Sequence, residues 1–318
     1  MKSVQVIELP TRKEFERKWL RLGVPLIIRG GIEHWKAREQ WSLDFFKLHH
    51  GEVRIWCEDG ELFEFKRKAM TLGAFVDTIR DPNFTGKLYW SEARLFDVLP
   101  GLRSHVELER PDLFPRAFLA KPKIYIGPRG SFSPIHRDRA PNITAQIVGR
   151  KRWTFYSPEQ GEYVYPYPWR HFLGHFSRIN TEDKLRDFKR FPLFRRAEPL
   201  EAVVEPGDLI YSPAGWWHHV KSLDATISVH IFWKTLALYA SQVALKPVYK
   251  LLDKRQQSDV VADWSELDVV RRVRELFGGA LDAEAESDGE RARRAVRSVR
   301  EGHRAAYGDG ADRAKPSA

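Results

Sequence analysis

Apolar residues in the first third of the chain alternate between helical and strand spacing. Thr11 and Glu14 form a capping-box pattern ahead of Phe15 and Trp19, which predicts a helix there. Further predicted helices cover 42–50 and 71–79, and predicted strands cover 24–28, 53–57 and 87–90. Such short pieces wrap a core rather than form one alone. We therefore expect residues 1–117 to be an α/β extension that packs on a second domain.

From residue 118 to residue 233 the pattern changes to short apolar strands separated by Pro and Gly. Many short strands with regular turn signals are typical of an antiparallel sandwich or barrel, and the double-stranded β-helix is one such jelly roll. The predicted fold class is therefore mainly β with α extensions, and residues 118–233 are its core. The predicted core strands are 121–126, 144–148, 152–156, 202–204, 208–211, 218–221 and 225–232.

Residues 158–199 interrupt this pattern with a long stretch rich in Tyr, Pro, Phe and Arg. An insertion of that length is usually functional, as a lid or binding loop. Most of its aromatic side chains are expected to be packed, with one or two touching a substrate: Tyr163, Tyr165, Tyr167, Trp169, His171 and Phe172.

The sequence after residue 233 favours helices within 234–280 and a charged, mostly disordered tail over 281–318. The segment 236–252 carries more apolar residues than a free surface helix needs. It either folds back on its own core or pairs with a second copy, together with the helix near 269–277. A homodimer is one expectation from this pattern.

Composition narrows the class of protein. Cys57 is the single cysteine of 318 residues, which excludes a disulfide framework and a multi-cysteine metal site and favours a reducing compartment. No leader pattern follows Met1 and no apolar run is long enough for a transmembrane helix, so we expect a soluble, cytoplasmic protein with no membrane partner. The net charge of +10 fits either an acidic partner or solubility alone. A nucleic-acid partner is possible but unsupported, because no dense Lys/Arg block occurs.

The candidate chemistry begins with His136 and Asp138, which form an H-x-D pair, and with His218 further along. Alternate residues of a strand share one face, so such a pair can converge on one ion. Two imidazoles and one carboxylate make the facial triad of non-haem Fe(II) oxygenases, although H-x-D alone is common by chance. His218 and His219 are adjacent on a predicted strand, so only one of them faces the interior. The other is expected at the surface or behind the site.

Several linked motifs now point to a family. Residues 133–138 read Ser-Pro-Ile-His-Arg-Asp, residues 145–152 read Ala-Gln-Ile-Val-Gly-Arg-Lys-Arg, residues 164–168 read Val-Tyr-Pro-Tyr-Pro, and residues 206–219 run from Pro-Gly-Asp to Trp-Trp-His-His. In this order they resemble the JmjC and cupin-like 2-oxoglutarate/Fe(II) oxygenases, particularly the small hydroxylases related to the asparaginyl hydroxylase of hypoxia-inducible factor. The resemblance covers roughly 24–233.

The resemblance implies an Fe(II) site. His136, Asp138 and His218 match the catalytic metal ligands, with His218 rather than His219, because the first His after the Trp pair is the family ligand.

The resemblance also implies a 2-oxoglutarate site. Lys151 matches the lysine that pairs with the distal carboxylate of 2-oxoglutarate, although without the resemblance a turn-exposed lysine is the favoured reading. Tyr89 and Ser133 fall where hydroxyls reach the same carboxylate, and Asn142 falls where an amide contacts the cosubstrate or the residues behind it. His230 replaces an asparagine of the asparaginyl hydroxylase. It would contact cosubstrate, water or oxygen, or be a core histidine.

The implied function is a dioxygenase that uses molecular oxygen and 2-oxoglutarate to hydroxylate a C–H bond of a protein or peptide side chain, with succinate and CO2 as co-products. Hydroxylation is favoured over demethylation because the sequence shows no reader module. Three alternatives stay open: a non-catalytic cupin-like metal-binding or interaction protein, a redox-neutral cupin enzyme such as an isomerase, and an oxygenase of a free amino acid, another small molecule or a tRNA base. Lys151 and Tyr89 distinguish an oxygenase from the first two alternatives, because a 2-oxoglutarate pocket has no purpose in a non-catalytic protein or an isomerase.

Overall fold

The computed structural model describes residues 2–60, 66–84, 86–108, 118–119, 122–168 and 173–234. The expected C-terminal helices within 234–280, the tail over 281–318 and the expected dimer surface lie outside these residues, as do Trp169, His171 and Phe172. Within the described part of the chain, no helix combines the length and apolarity that crossing a membrane requires.

β-Strands dominate the described part of the chain. The strands are β1 Lys2–Ser3, β2 Gln5–Ile7, β3 Leu26–Ile28, β4 Arg54–Asp59, β5 Arg67–Thr71, β6 Leu88–Arg94, β7 Phe118–Leu119, β8 Lys123–Gly127, β9 Phe132–Arg137, β10 Asn142–Val148, β11 Lys151–Tyr156, β12 Leu200–Val204, β13 Leu209–Ser212, β14 Trp217–Ser222 and β15 Thr226–Lys234. The α-helices are α1 Arg12–Phe15, α2 Lys36–Gln40, α3 Leu43–His50, α4 Leu72–Arg80 and α5 Leu95–Val98. A π-helix covers Glu16–Leu20, and 3-10 helices cover Pro100–His105, Pro158–Val164, Asp183–Arg186 and Pro192–Arg196.

The strands form two sheets. The smaller sheet has the order β1-β12-β11-β14-β9, and the larger has the order β2-β3-β13-β10-β15-β8-β6-β4-β5, with β7 beside β15. Within them, β12-β11-β14-β9 and β13-β10-β15-β8 are antiparallel throughout. This is the arrangement of a jelly-roll core. The mainly β, cupin-like fold class predicted from the turn-punctuated strands is confirmed.

β10 shows how the core is divided between two environments. Ile143, Ala145 and Ile147 point to one face and belong to the large apolar cluster that also contains the N-terminal side chains Phe15, Trp35, Phe46 and Phe75. The residues between them are the polar Asn142, Thr144 and Gln146, all of them buried. β15 repeats the pattern, since Ile227, Val229 and Ile231 join the apolar cluster while Ser228 and His230 alternate with them. The period of two therefore gives the larger sheet an apolar outer face and a polar inner face.

The interior between the two sheets is closed at one end by a second apolar cluster. It comprises Val4, Ile27, Trp153, Phe155, Ala202, Val204, Ile210 and Val220. Burying a Val, Ile or Phe side chain of this cluster contributes about 1.5–3 kcal/mol, so the apolar packing stabilises this end of the core. The polar inner face of β8, β10 and β15 lies beside it.

Two predicted helices begin at the caps that the sequence indicates. The side chains of Ser42 and Thr71 accept from the backbone N–H of Phe45 and Ala74, at the starts of α3 and α4. The helix predicted after Thr11 starts with the same type of cap, but after α1 it continues as a π-helix rather than an α-helix. β9 is missing from the predicted strands. It contains Pro134, which removes a backbone donor and disguises the strand pattern.

The described part of the insertion 158–199 packs on the outer face of the smaller sheet. Val164, Ile179, Phe191 and Phe194 form one apolar cluster with Ile135, Tyr156 and Trp217 of the sheet. Tyr165 contacts Phe191 with ring centroids 5.1 Å apart. The insertion is therefore a packed layer of the fold.

Candidate metal centre and cosubstrate pocket

His136 and His218 are brought together by the pairing of β9 with β14, where they are direct partners. Asp138 comes one residue after β9 ends, and its backbone carbonyl accepts from the N–H of Gly215 at 2.9 Å in the turn before β14. One ligand atom from each of the three residues lies within 4.8 Å of the others. The Asp138 position thus depends on this turn as well as on strand alternation.

Each histidine of this group leaves one ring nitrogen free to bind a metal. Nδ1 of His136 lies 2.7 Å from the carbonyl of Pro134, and Nδ1 of His218 lies 3.1 Å from the carbonyl of Trp216. A carbonyl only accepts, so both rings donate from Nδ1 and their Nε2 atoms carry the lone pair. Burial lowers the pKa of His218 well below its usual value, which keeps it neutral. Histidines oriented by a second hydrogen bond are typical of metal ligands.

The carboxylate of Asp138 completes the donor set. Its Oδ2 lies 3.8 Å from Nε2 of His218 and accepts from Nδ2 of Asn142 at 2.8 Å. Burial raises the pKa of Asp138, and neighbouring His136 opposes this rise. A bound cation would favour the ionised form further. Two imidazoles and one carboxylate on one side fit Fe(II), because the remaining coordination positions stay open. Asn142 therefore lies behind the metal ligands.

Lys151 is buried on the inner face of β11, with 2% of its surface exposed. The alternative that Lys151 is an exposed lysine in a turn is wrong. Because residues alternate along β11, Arg152 is the side chain that points to solvent. Nζ donates to Oγ of Ser228 at 2.8 Å and to the hydroxyl of Tyr89 at 3.3 Å. Among the described residues no carboxylate forms an ion pair with it. Burial lowers its pKa to about 7. A buried ammonium with two hydroxyl partners and no counter-ion is suited to an anionic ligand.

Ser228 is a member of this pocket that sequence reasoning missed, since its Oγ accepts from Nζ of Lys151 at 2.8 Å. The expected contact of Ser133 with the cosubstrate stays a prediction. Ser133 lies on β9 opposite Val220, beside an irregularity in the β9–β14 ladder. The available signal was the alternation of β15, which puts Ser228 and His230 on one face. Reading that signal required knowing which face of β15 turns inward.

His230 is buried and held on three sides. Its ring stacks on Tyr125 with centroids 3.9 Å apart, Nδ1 lies 3.1 Å from Oγ1 of Thr144, and Nε2 lies 3.3 Å from Oγ of Ser228. Burial, and then the charge of Lys151, lower the pKa of His230 well below its usual value. The side chain is a neutral hydrogen-bonding group inside the polar pocket.

His219 faces away from the metal group. It is buried with its ring 5.5 Å from Phe132 and 6.2 Å from Tyr156, and burial lowers its pKa to about 4. As expected, His218 and His219 point to opposite faces of β14. His219, on the outer face, is nevertheless buried under other side chains and not exposed at the surface.

Phe176 forms one wall of the site. Its ring stacks on His136 with centroids 5.5 Å apart, and the two residues form an isolated β-bridge. Glu92 of β6 has a positive φ of 57° and accepts from Tyr125 and Lys123. The insertion thus places Phe176 against a metal-group histidine, and β6 supplies Glu92, which holds the Tyr125 ring that stacks on His230.

Comparison with known proteins agrees with this geometry. Residues 12–238 match the family described as the cupin-like domain. The chain belongs to the cupin-like family. That match extends through β15 and contains the His136, Asp138 and His218 group, so the resemblance noted from the motifs is confirmed.

Several curated proteins resemble this cupin-like chain. It is 32% identical to lysine-specific demethylase 8 of Danio rerio, over 73% of this chain and 58% of that protein. It is 28% identical to lysine-specific demethylase 8 of Xenopus tropicalis, over 73% and 53%. It is 26% identical to the human bifunctional peptidase and (3S)-lysyl hydroxylase JMJD7, over 77% and 86%. The chain thus spans about half the length of the two demethylases.

Proposed function

We propose that this cupin-like protein is a 2-oxoglutarate- and Fe(II)-dependent dioxygenase. The observation that carries the proposal is the juxtaposition of two sites on one inner face. The two free imidazole nitrogens and the carboxylate supply a metal site, and Lys151 supplies a buried cation for an acidic cosubstrate. A metal site that served structure alone would have no use for a buried ammonium that pairs with hydroxyls but, within the described part of the chain, with no carboxylate.

In this proposal His136, Asp138 and His218 hold Fe(II), and Lys151 and Tyr89 hold the distal carboxylate of 2-oxoglutarate. When bound, the iron supplies oxidative decarboxylation of 2-oxoglutarate to succinate and CO2, coupled to hydroxylation by O2. The chain's own part is orientation. The backbone carbonyls of Pro134 and Trp216 fix the two imidazole rings, and Asn142 fixes the carboxylate.

We propose a protein or peptide side chain as the hydroxylated substrate. Support comes from the relatives, one of which is named a lysyl hydroxylase and two of which are named lysine-specific demethylases. We also propose a homodimer built from residues 236–252 and 269–277.

The function is tested by supplying the full chain with Fe(II), O2, 2-oxoglutarate and pools of peptides, free amino acids and tRNA. We expect succinate release that depends on Fe(II), together with the mass gain of one oxygen atom in a peptide. The same mass gain in a free amino acid or in tRNA would instead make that class of molecule the substrate. Metal binding without 2-oxoglutarate binding or succinate release would indicate a non-catalytic metal-binding protein.

A further inference from the structure

A continuous series of hydrogen bonds joins the two halves of the site across β11, β15 and β10. It starts at the Lys151 ammonium and ends at the Asp138 carboxylate. The successive contacts are Lys151 Nζ to Ser228 Oγ at 2.8 Å, Ser228 Oγ to His230 Nε2 at 3.3 Å, His230 Nδ1 to Thr144 Oγ1 at 3.1 Å, Thr144 Oγ1 to Asn142 Oδ1 at 3.3 Å, and Asn142 Nδ2 to Asp138 Oδ2 at 2.8 Å.

The carboxylate end fixes the direction of the last bonds. A carboxylate oxygen accepts, so Asn142 gives its N–H to Asp138 and turns its Oδ1 toward Thr144. The single hydroxyl proton of Thr144 is then donated to that Oδ1. Thr144 must therefore accept at Oγ1 from its other neighbour.

The ammonium end fixes the direction of the first bonds. An ammonium only donates, so Ser228 accepts from Lys151 and its own proton is available for Nε2 of His230. His230 therefore accepts at Nε2 and donates at Nδ1, as the neutral Nδ1–H tautomer. Both ends require the same state of this one ring.

The packing around His230 prevents it from leaving this state by rotation. The ring of Tyr125 lies against it at 3.9 Å, and Ser228 and Thr144 contact opposite ring nitrogens from β15 and β10. The phenol of Tyr125 is in turn held by Glu92. A ring rotated by half a turn would present carbon atoms to both hydroxyls.

We propose that His230 is a positioning residue at the centre of a one-directional hydrogen-bond chain, which couples the cation of the cosubstrate pocket to the carboxylate of the metal group. The statement that 2-oxoglutarate binds at one end and Fe(II) at the other rests on the proposed function. The hydrogen-bond chain itself does not depend on it. Because every bond points from cation to carboxylate, the dipoles reinforce one another, and a break at the middle weakens the far end.

The first test observes the tautomer directly. Nitrogen-15 NMR of the metal-free full chain, recorded below the Lys151 pKa of about 7 so that the ammonium is charged, reports which ring nitrogen of each histidine carries the proton. The His230 signal is assigned by its loss in His230→Gln. We expect the Nδ1–H tautomer for His230. An Nε2–H tautomer would overturn the chain, whether or not the protein turns over 2-oxoglutarate.

The second test breaks the chain at Thr144 and measures Co(II) affinity without cosubstrate. Thr144→Val should weaken Co(II) binding about 2- to 10-fold, the equivalent of one lost hydrogen bond, while the contact with Ser228 still holds His230 as the Nδ1–H tautomer. Thr144→Ser keeps the hydroxyl and should retain the wild-type affinity. Ser212→Ala is the matched control, because Ser212 lies opposite Asn142 and its buried Oγ has no described hydrogen-bond partner.

Unchanged Co(II) affinity in Thr144→Val would show that the hydroxyl does not influence the metal group. An equal loss in Ser212→Ala would show a packing effect, and either result would overturn the coupling. Neither readout needs turnover. If the tautomer and affinity tests fail while succinate release is intact, only this inference is removed. If succinate release is absent while both tests give the expected results, only the proposed function is removed.

Discussion

Lys151 and Ser228 contact each other across the interior of the fold, with Nζ of the lysine on β11 lying 2.8 Å from Oγ of the serine on β15. The two strands belong to different sheets, so this bond spans the space between them. The cation is consequently fixed from both sides at the depth of the polar inner face. A carboxylate that pairs with it therefore has to lie between the two sheets.

Replacing the buried cation should remove the cosubstrate site. Lys151→Met keeps most of the side-chain volume but loses a charge-assisted bond, worth about 1.5–3 kcal/mol, or about 10- to 150-fold in 2-oxoglutarate affinity. Isothermal titration of the Co(II)-loaded protein measures this loss. Arg152→Ala is the control, since Arg152 is exposed on the opposite face of β11 and should leave the affinity unchanged. Equal affinities in wild type and Lys151→Met would refute the pocket.

Affinity for 2-oxoglutarate should fall as pH rises above about 7. Burial lowers the pKa of Lys151 to about 7, so the free protein carries the charged ammonium below that pH and loses it above. The dianionic ligand binds the charged form and raises the pKa of Lys151 in the complex. Between the two pKa values the affinity should therefore decrease by up to about tenfold per pH unit.

Anaerobic titrations of the Co(II)-loaded protein from about pH 7 to about pH 9 measure this slope. The comparison protein is Lys151→Met, in which the contribution of this group is absent and the slope should flatten. An affinity that rises with pH in the wild type would contradict the assignment.

Local features of the fold were readable from the sequence because they depend on neighbouring residues. Ser42 and Thr71 indicated helix starts three residues before the backbone N–H groups that they cap. The alternation of β10 likewise needed only its own residues. Pro134 hid β9, although that strand carries His136, because a proline inside a strand is tolerated only where its missing N–H is not required.

The pocket was less readable, because it depends on contacts between distant strands. Lys151 is buried only since the inner face of β11 meets β15 and Tyr89 of β6, and a lysine between two arginines shows no local sign of this. Ser228 was missed for the same reason. The metal residues were found from a spacing pattern, whereas the roles of Thr144 and His230 depend on hydrogen bonds that join β10 to β15.

The choice between the two adjacent histidines of β14 can be tested by metal binding. His218→Ala removes a buried nitrogen of the metal group and should abolish measurable Co(II) binding, seen in the visible absorption of the bound ion. His219→Asn changes a ring that contacts Phe132 and Tyr156 on the opposite face, and should retain Co(II) binding. Loss of binding in His219→Asn with retention in His218→Ala would reverse the assignment.

The proposed homodimer predicts a mass twice that of the 37.1 kDa chain in light scattering at micromolar protein concentration. Two-fold dimers are the commonest soluble homo-oligomers, and the proposal assigns their self-complementary contact to the apolar-rich sequence of 236–252. Truncation after Lys234 should give a monomer or insoluble protein. A monomeric full chain would eliminate the dimer, and a soluble truncated dimer would place its interface elsewhere.

Gly127, at the end of β8, lies so close to Tyr89 that a single added methyl group should disturb the cosubstrate pocket. A Cβ on Gly127 would lie 2.1 Å from Cδ2 and 2.4 Å from Cε2 of the Tyr89 ring, so the ring has to move. Its hydroxyl would leave Nζ of Lys151, now 3.3 Å away. Gly127→Ala should therefore weaken 2-oxoglutarate binding about 2- to 10-fold, the equivalent of one hydrogen bond, and leave Co(II) affinity unchanged.

Two further variants separate this effect from a general loss of stability. Tyr89→Phe removes the same hydroxyl without moving the ring and should reproduce the weaker 2-oxoglutarate binding. Gly101→Ala is the control, because a Cβ there meets nothing within 4 Å, and it should bind as the wild type does. Thermal melts of all three proteins check that they are folded at the temperature of the titration. If Tyr89→Phe binds 2-oxoglutarate normally while Gly127→Ala does not, the methyl group acts on Lys151 by another route and the phenol has no part in holding the cosubstrate.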